Sequence, residues 1–172
     1  AYDAATEADA EAAGPADPDD VGGVGCNGSP WTAMQAALEI KGSWHDNYGT
    51  DHEISSSQWS QSYDYSFAIT SYDNDGNFVI AQNDSDNGFA ADLWSRFEWA
   101  YDTDGDLWYC QIAYDAATEA DAEAAGPADA TDLEGVGCNG APWTAMGAPL
   151  EIAGSYTDSD TTDHVISSST WS

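Results

Sequence analysis

SYDYSFAIT, residues 62–70, alternates along its length: Tyr63, Tyr65, Phe67 and Ile69 fall on one side, Asp64, Ser66 and Thr70 on the other. A period of two places successive side chains on opposite faces of an extended chain, so this stretch predicts a half-buried β-strand. The same pattern recurs on both sides of it. LEIKGSW (38–44) sets Leu38, Ile40 and Trp44 on one face, and DHEISSSQWS (51–60) reads as the next strand. NFVIAQN (77–83), LWSRFEWAY (93–101) and LWYCQIAY (107–114) follow, the last with Trp108, Cys110, Ile112 and Tyr114 on one face. Between them DNDG, DSDNG and DTDGD supply the residues that tight turns require. Strands joined by short hairpins and carrying one apolar face must bury that face against each other. The expected fold is all-β: a six-stranded antiparallel meander, closed as a barrel or folded as a sandwich.

One segment breaks the pattern. In TEADAEAAG (118–126), Thr118 is a suitable N-cap, acids occupy the first turn, alanines fill the body, and Gly126-Pro127 ends it. This predicts a short helix at about 119–125, C-terminal to the strands. The helix belongs to a string, AYDAATEADAEAAGPAD, that occurs at Ala1 and again at Ala113, an offset of 112 residues. At that offset residues 1–60 align with 113–172, and about three quarters of the aligned positions are identical. A period this long is a whole small domain, not a solenoid repeat. The expected organisation is the end of a preceding repeat in 1–28 (with a helix copy at 7–13), one complete β-domain in 29–142, and the first two strands of the next repeat in 143–172.

Composition narrows the partners. Thirty-two acidic residues against two basic ones give a net charge of -30, which excludes nucleic acid and a polybasic grip on anionic lipid. Eight Trp, nine Tyr and four Phe argue against disorder. No apolar run reaches the roughly 18 residues of a membrane span. Self-repulsion at this charge favours a saline or calcium-containing setting.

The repeat also orders the three cysteines. Cys26 aligns with Cys138, so each period carries one cysteine of that type and one of the Cys110 type. A Cys110–Cys138 disulfide is expected, and with it an extracellular or cell-surface location. The equivalent partner of Cys26 would lie three positions before residue 1.

IKGSWHDNYGTDHEI (40–54) resembles the opening of calycin-type barrels, the lipocalin and avidin group, which carry Gly-x-Trp in their first strand and continue as an up-and-down meander. Here the match is Gly42 and Trp44, with Tyr156 at the second copy's Trp position. The resemblance implies a small barrel with Arg96, the only arginine, packed across Trp44.

Candidate chemistry is sparse. Asp73, Asp75, Asp102, Asp104 and Asp106 stand in Asp-Gly turns and are candidate calcium ligands, although neither loop has a closing Glu; no other cofactor is expected. His52 and His164 repeat but have no ligand-spaced neighbour, which suits a strand histidine satisfied by its surroundings. Acidic pairs such as Glu98 and Asp102 are too common here to indicate glycoside hydrolysis. No nucleophile has a recognisable context, so an enzyme is not expected. Asn27 and Asn83 begin glycosylation sequons.

Trp44, Tyr65, Phe67, Trp94 and Trp108 are candidates for a ligand-stacking or inter-domain face. The expected function is structural: a repeat domain of an extracellular fibre, filament or surface stalk whose partners are copies of itself, head to tail. The alternative is a secreted binding module for a small apolar ligand or glycan. A filled barrel favours the first. An open cavity lined by Tyr65, Phe67 and Trp108 favours the second.

Overall fold

Eight antiparallel strands close into a barrel: β1 (Gly42–Asp46), β2 (Asp51–Ile54), β3 (Gln58–Gln61), β4 (Tyr65–Asp73), β5 (Phe78–Asn83), β6 (Trp94–Tyr101), β7 (Leu107–Ala116) and β8 (Thr144–Gly147). The computed structural model describes residues 34–148, two further strands at 154–157 and 163–166, and positions 17, 19, 20, 22 and 23. The chain divides into two units, Ala1–Ala36 and Ala37–Ser172, and the barrel lies wholly in the second.

The strand count corrects the expectation of six, for two reasons. DHEISSSQWS is not one strand. Ser55 Oγ accepts the N–H groups of Ser57 and Gln58, so the serines turn the chain and β2 and β3 pair as a hairpin, Ile54 opposite Trp59. Serine hydroxyls that bond nearby backbone compete with strand pairing in this way. The second addition is β8. It pairs with β7, Tyr109 opposite Thr144, and with β1, Asp46 opposite Met146, and so shuts the barrel. It lies beyond residue 142, past the end expected for the domain. The first strand also starts later than expected: Leu38 and Ile40 precede it and are buried as a plug.

The interior is filled. Trp59, Phe97 and Trp99 are fully buried among Leu38, Ile40, Ile54, Phe67, Val79, Leu107 and Met146. Phe97 stacks on Trp59 at 4.4 Å between centroids and meets Phe67 edge-on at 4.9 Å. Each such side chain contributes about 1.5–3 kcal/mol by leaving water.

An even number of antiparallel strands returns the chain to the end at which it started. At that end Glu39 N–H donates to Asn74 Oδ1 (3.0 Å), Asn74 Nδ2 donates to the Ala37 carbonyl (2.9 Å) and Leu38 N–H donates to Ser56 Oγ (3.3 Å). The β2–β3 and β4–β5 turns therefore sit with the plug. The β1–β2, β3–β4 and β5–β6 connections form the opposite end.

One outer face is covered too. The helix α1 (Glu119–Ala124) starts at Thr118, whose side chain accepts the Asp121 N–H, as the sequence predicts; the helix copy at 7–13 lies outside the described residues. Beneath α1, Arg96 Nε donates to Glu98 Oε1 (2.6 Å), its Nη1 donates to the Glu123 carbonyl, and its guanidinium lies 4.2 Å from the Phe78 ring centre. Arg96 is thus on the outside of the barrel while Trp44 packs against the inside, which corrects the calycin-based expectation that the two meet. Glu98 Oε2 accepts the Ala128 N–H, and a Cβ on Gly126 would collide with both Arg96 and Glu98. Glycine is required at 126 by this close approach. From there the crossover runs over β6 and β7, burying Ala100, Cys110, Cys138 and Trp143 together. The Cys110–Cys138 disulfide forms as predicted, with Cα atoms 5.6 Å apart. A buried disulfide is consistent with an extracellular protein.

Past the barrel, β9 (Gly154–Thr157) and β10 (Asp163–Ile166) pair with Gly154 opposite Ile166. At the offset of 112 this is the β1–β2 register, Gly42 opposite Ile54: the recurring sequence makes the same hairpin twice. The closed, all-antiparallel barrel of eight strands is consistent with a calycin-like fold.

Candidate functional site: the barrel mouth

The end opposite the plug is open. Gln61, Tyr65, Phe67, Asn83, Phe89, Gln111 and Tyr114 line a recess of about 250 Å3 there. Phe67 is its floor, resting on Phe97. Phe89 and Tyr114, both exposed, form the lip. None of the seven is charged, on a chain of net charge -30.

A hydrogen-bonded network holds the wall. Asn83 Nδ2 donates to the carbonyls of Ala90 and Tyr114, both at 2.8 Å, and Ser95 Oγ donates to Asn83 Oδ1 at 2.6 Å. Gln111 Nε2 donates to Ser95 Oγ. These bonds tie β5, β6, β7 and the β5–β6 loop into one rim. The rim is also where backbone strain collects. Tyr63 (φ 72°) and Asp64 (φ 65°) are left-handed in the β3–β4 turn, and Ala90 (φ 53°) and Asp92 (φ 63°) in the β5–β6 loop. A left-handed non-glycine residue costs about 1–2 kcal/mol and persists where its surroundings over-determine it.

Below the mouth lies a buried polar chain. Trp59 Nε1–H donates to His52 Nδ1 (3.1 Å), which leaves the imidazole proton on Nε2 facing Asp46 Oδ2 (3.2 Å). Asp46 Oδ1 accepts the N–H groups of Tyr48 and Thr50. Burial raises the Asp46 carboxyl, but the bonds from Thr50, His52 and Tyr48 hold it below its usual value. Burial and the nearby Asp46 charge push the Tyr109 phenol up. His52 is pushed below its usual 6.5, chiefly by burial, against the pull of Asp46. Both ring nitrogens are engaged, as expected of a satisfied strand histidine, so the imidazole is not placed to act as a base. A group whose folded value is depressed gives stability that is present above its unfolded value, about 6.5, and is lost as pH falls below it. NMR titration should show His52 neutral, with its proton on Nε2, down to pH values below 6.5. Protonation at or above 6.5 would contradict the buried network.

Of the five aromatic candidates, the mouth brings together only Tyr65 and Phe67. Trp44 is half-buried against the core and donates from Nε1 to the Ile40 carbonyl. Trp94 is half-buried at the start of β6. Trp108 is on the outer surface, donating from Nε1 to Asp102 Oδ2 and bordering a shallow crevice of about 360 Å3 with Met146. It is therefore not among the residues that line the mouth with Tyr65 and Phe67. Tyr114 reaches the mouth because two register shifts in the β6–β7 pairing take it off the Trp108–Cys110–Ile112 face.

No solved structure, curated protein or protein-family model matches the chain.

The remaining candidates separate. Asp102 Oδ1 accepts the N–H groups of Asp104 and Asp106, and Asp73 Oδ1 those of Asp75 and Gly76. These two carboxylates brace their own turns, and among the described residues no three carboxylate, imidazole or thiol groups converge as a metal set. Asn83 is buried with its amide committed, so the folded barrel withholds it from glycosylation. Asn27 lies outside the described residues. Sequence reasoning missed Gln61, Phe89, Gln111 and Tyr114 as members of the mouth: Phe89 sits in a loop, the amides look like ordinary strand residues, and the alternation of 107–114 sets Tyr114 on the Trp108 face.

Proposed function

We propose that this chain consists of structural repeat domains of an extracellular fibre, filament or surface stalk, with copies of the same unit as partners. The filled barrel carries the reading. Trp59, Phe97 and Trp99 occupy the space in which a container would hold its cargo, and the mouth recess, at about 250 Å3, falls short of the roughly 300–1,000 Å3 of small-molecule sites. The 112-residue period supports a tandem array, and the disulfide supports an oxidising setting. Head-to-tail contacts that do not close on themselves build open assemblies. Sedimentation velocity at raised salt, where self-repulsion is screened, should show species that grow with concentration, and electron microscopy should show them as filaments. A compact monomer at every concentration would contradict the proposal.

The mouth favours a second reading. A recess with an uncharged, largely aromatic and amide lining, at the end away from where the chain enters and leaves, suits a small neutral molecule with a flat apolar face, such as a sugar. Repetition would then multiply weak binding. Saturable shifts of the Phe89 and Tyr114 NMR signals with neutral saccharides would support this reading, and their absence would remove it.

A further inference from the structure

Four aromatic rings line the mouth recess: Tyr65 and Phe67 from β4, Phe89 from the β5–β6 loop and Tyr114 from β7. The face of an aromatic ring carries negative charge density. No carboxylate stands in the lining, yet the same end of the barrel is ringed with them. Asp64 lies in the β3–β4 turn, Asp84, Asp86 and Asp92 in the β5–β6 loop, and Asp115 beside Tyr114, all of them exposed. The connections at that end, residues 47–50, 62–64 and 84–93, contain no Lys or Arg.

From this arrangement we infer that the mouth binds a quaternary ammonium group. Carboxylates of one sign around a recess concentrate cations of every kind near it. The lining then selects among them. A metal ion needs several oxygen ligands, and a primary ammonium needs acceptors for its N–H groups. The recess is poorly equipped for either, because its amides serve the wall: Asn83 is spent on the Ala90 and Tyr114 carbonyls and on Ser95, and Gln111 Nε2 on Ser95. An ammonium with four alkyl groups has no N–H to satisfy and spreads its charge over its methyl groups, so ring faces are what it requires. A group of this size also suits a recess of about 250 Å3, which is small for a drug-sized ligand.

The rings are placed before the ligand arrives. Phe67 is set edge-on against the buried Phe97, and Asn83 pins the backbone of the Phe89 loop and of Tyr114 together. Preorganisation of this kind lowers the cost of binding. The rim adds a second selection. Its aspartates repel an anion carried on the same ligand, so the occupant has a net positive charge: a free choline-like cation, and not the choline phosphate headgroup of a lipid.

The inference shares with the second reading only that the mouth is a binding recess, and it does not depend on filament formation. To test it, the full chain is titrated with tetramethylammonium while NMR follows the Tyr65, Phe89 and Tyr114 ring signals. These should shift saturably, and binding should weaken between 0.01 and 0.1 M salt, as the screening length falls from about 30 to about 10 Å. Phe89→Ala removes one ring from an exposed loop position and should weaken binding about two- to thirtyfold, with the barrel amide signals unchanged. Choline should bind about tenfold tighter than its neutral isostere, in which carbon replaces the nitrogen, and tighter than phosphocholine. Equal binding of choline and the isostere overturns the inference while keeping a neutral-ligand mouth, as do shifts with saccharides but not with tetramethylammonium. Phosphocholine binding as tightly as choline overturns the selection by the rim. No saturable shift up to about 100 mM tetramethylammonium, where even a millimolar site is filled, overturns the inference outright.

Discussion

Replacing Trp59 by Ala should destabilise the barrel by about 3–5 kcal/mol, the cost of emptying a large aromatic from a packed core. Trp59 is fully buried on β3, stacked on Phe97 and tilted against Tyr109 at 5.5 Å. Its loss removes packing from the middle of the core and also strips His52 Nδ1 of its donor. Trp59→Phe separates the two effects. It keeps a ring against Phe97, so part of the packing survives, but leaves the imidazole nitrogen buried and unpartnered at about 1–3 kcal/mol. Denaturant unfolding with an unchanged slope would measure both. A loss under about 1 kcal/mol for Trp59→Ala, far below the large-to-small range, would show that the interior is not packed as described.

Removing the disulfide should cost about 3.5 kcal/mol, from the loop-closure entropy released by a link spanning 28 residues. The structural consequence exceeds that of a surface staple. Cys138 lies on the crossover that delivers Trp143 and then β8, so freeing it loosens the strand that shuts the barrel. The paired substitution Cys110→Ala and Cys138→Ala, compared with the parent by equilibrium unfolding, tests this. A midpoint shift worth less than about 1 kcal/mol would mean that the crossover is held by other contacts, such as the bond from Trp143 Nε1 to the Asp129 carbonyl, and that the loop-entropy account fails here.

Much of the barrel is legible in the sequence because its strands obey a period of two. Tyr65, Phe67 and Ile69 point inward on β4 as their alternation requires. Tyr63 matches the same alternation yet lies in the turn, because periodicity does not mark where a strand stops. The serine run at 55–57 hides a hairpin for a related reason: three small polar residues suit a strand edge and a turn equally well. TAMG in β8 is too short to show a pattern, and only its pairing with both β1 and β7 gives it a role. The cysteine pair was readable from the repeat, which assigns one cysteine of each type to a period. The mouth was not readable. Tyr114 is carried into it by register shifts, and Asn83 looks like a sequon until the fold buries it. The calycin resemblance implies that Arg96 packs across Trp44, but the alternation of β6, with Phe97 and Trp99 inward, sends it outward beneath α1.

The barrel is filled, and its eighth strand comes from beyond residue 142, after the crossover. Amide hydrogen exchange tests it most directly. The amides that pair β8 with β1 and β7 should be protected to the same free energy as those of β6 and β7, exchanging only when the whole barrel unfolds. If the amides of Thr144–Gly147 exchange freely while β6 and β7 stay protected, the barrel is open at that edge and the account is wrong.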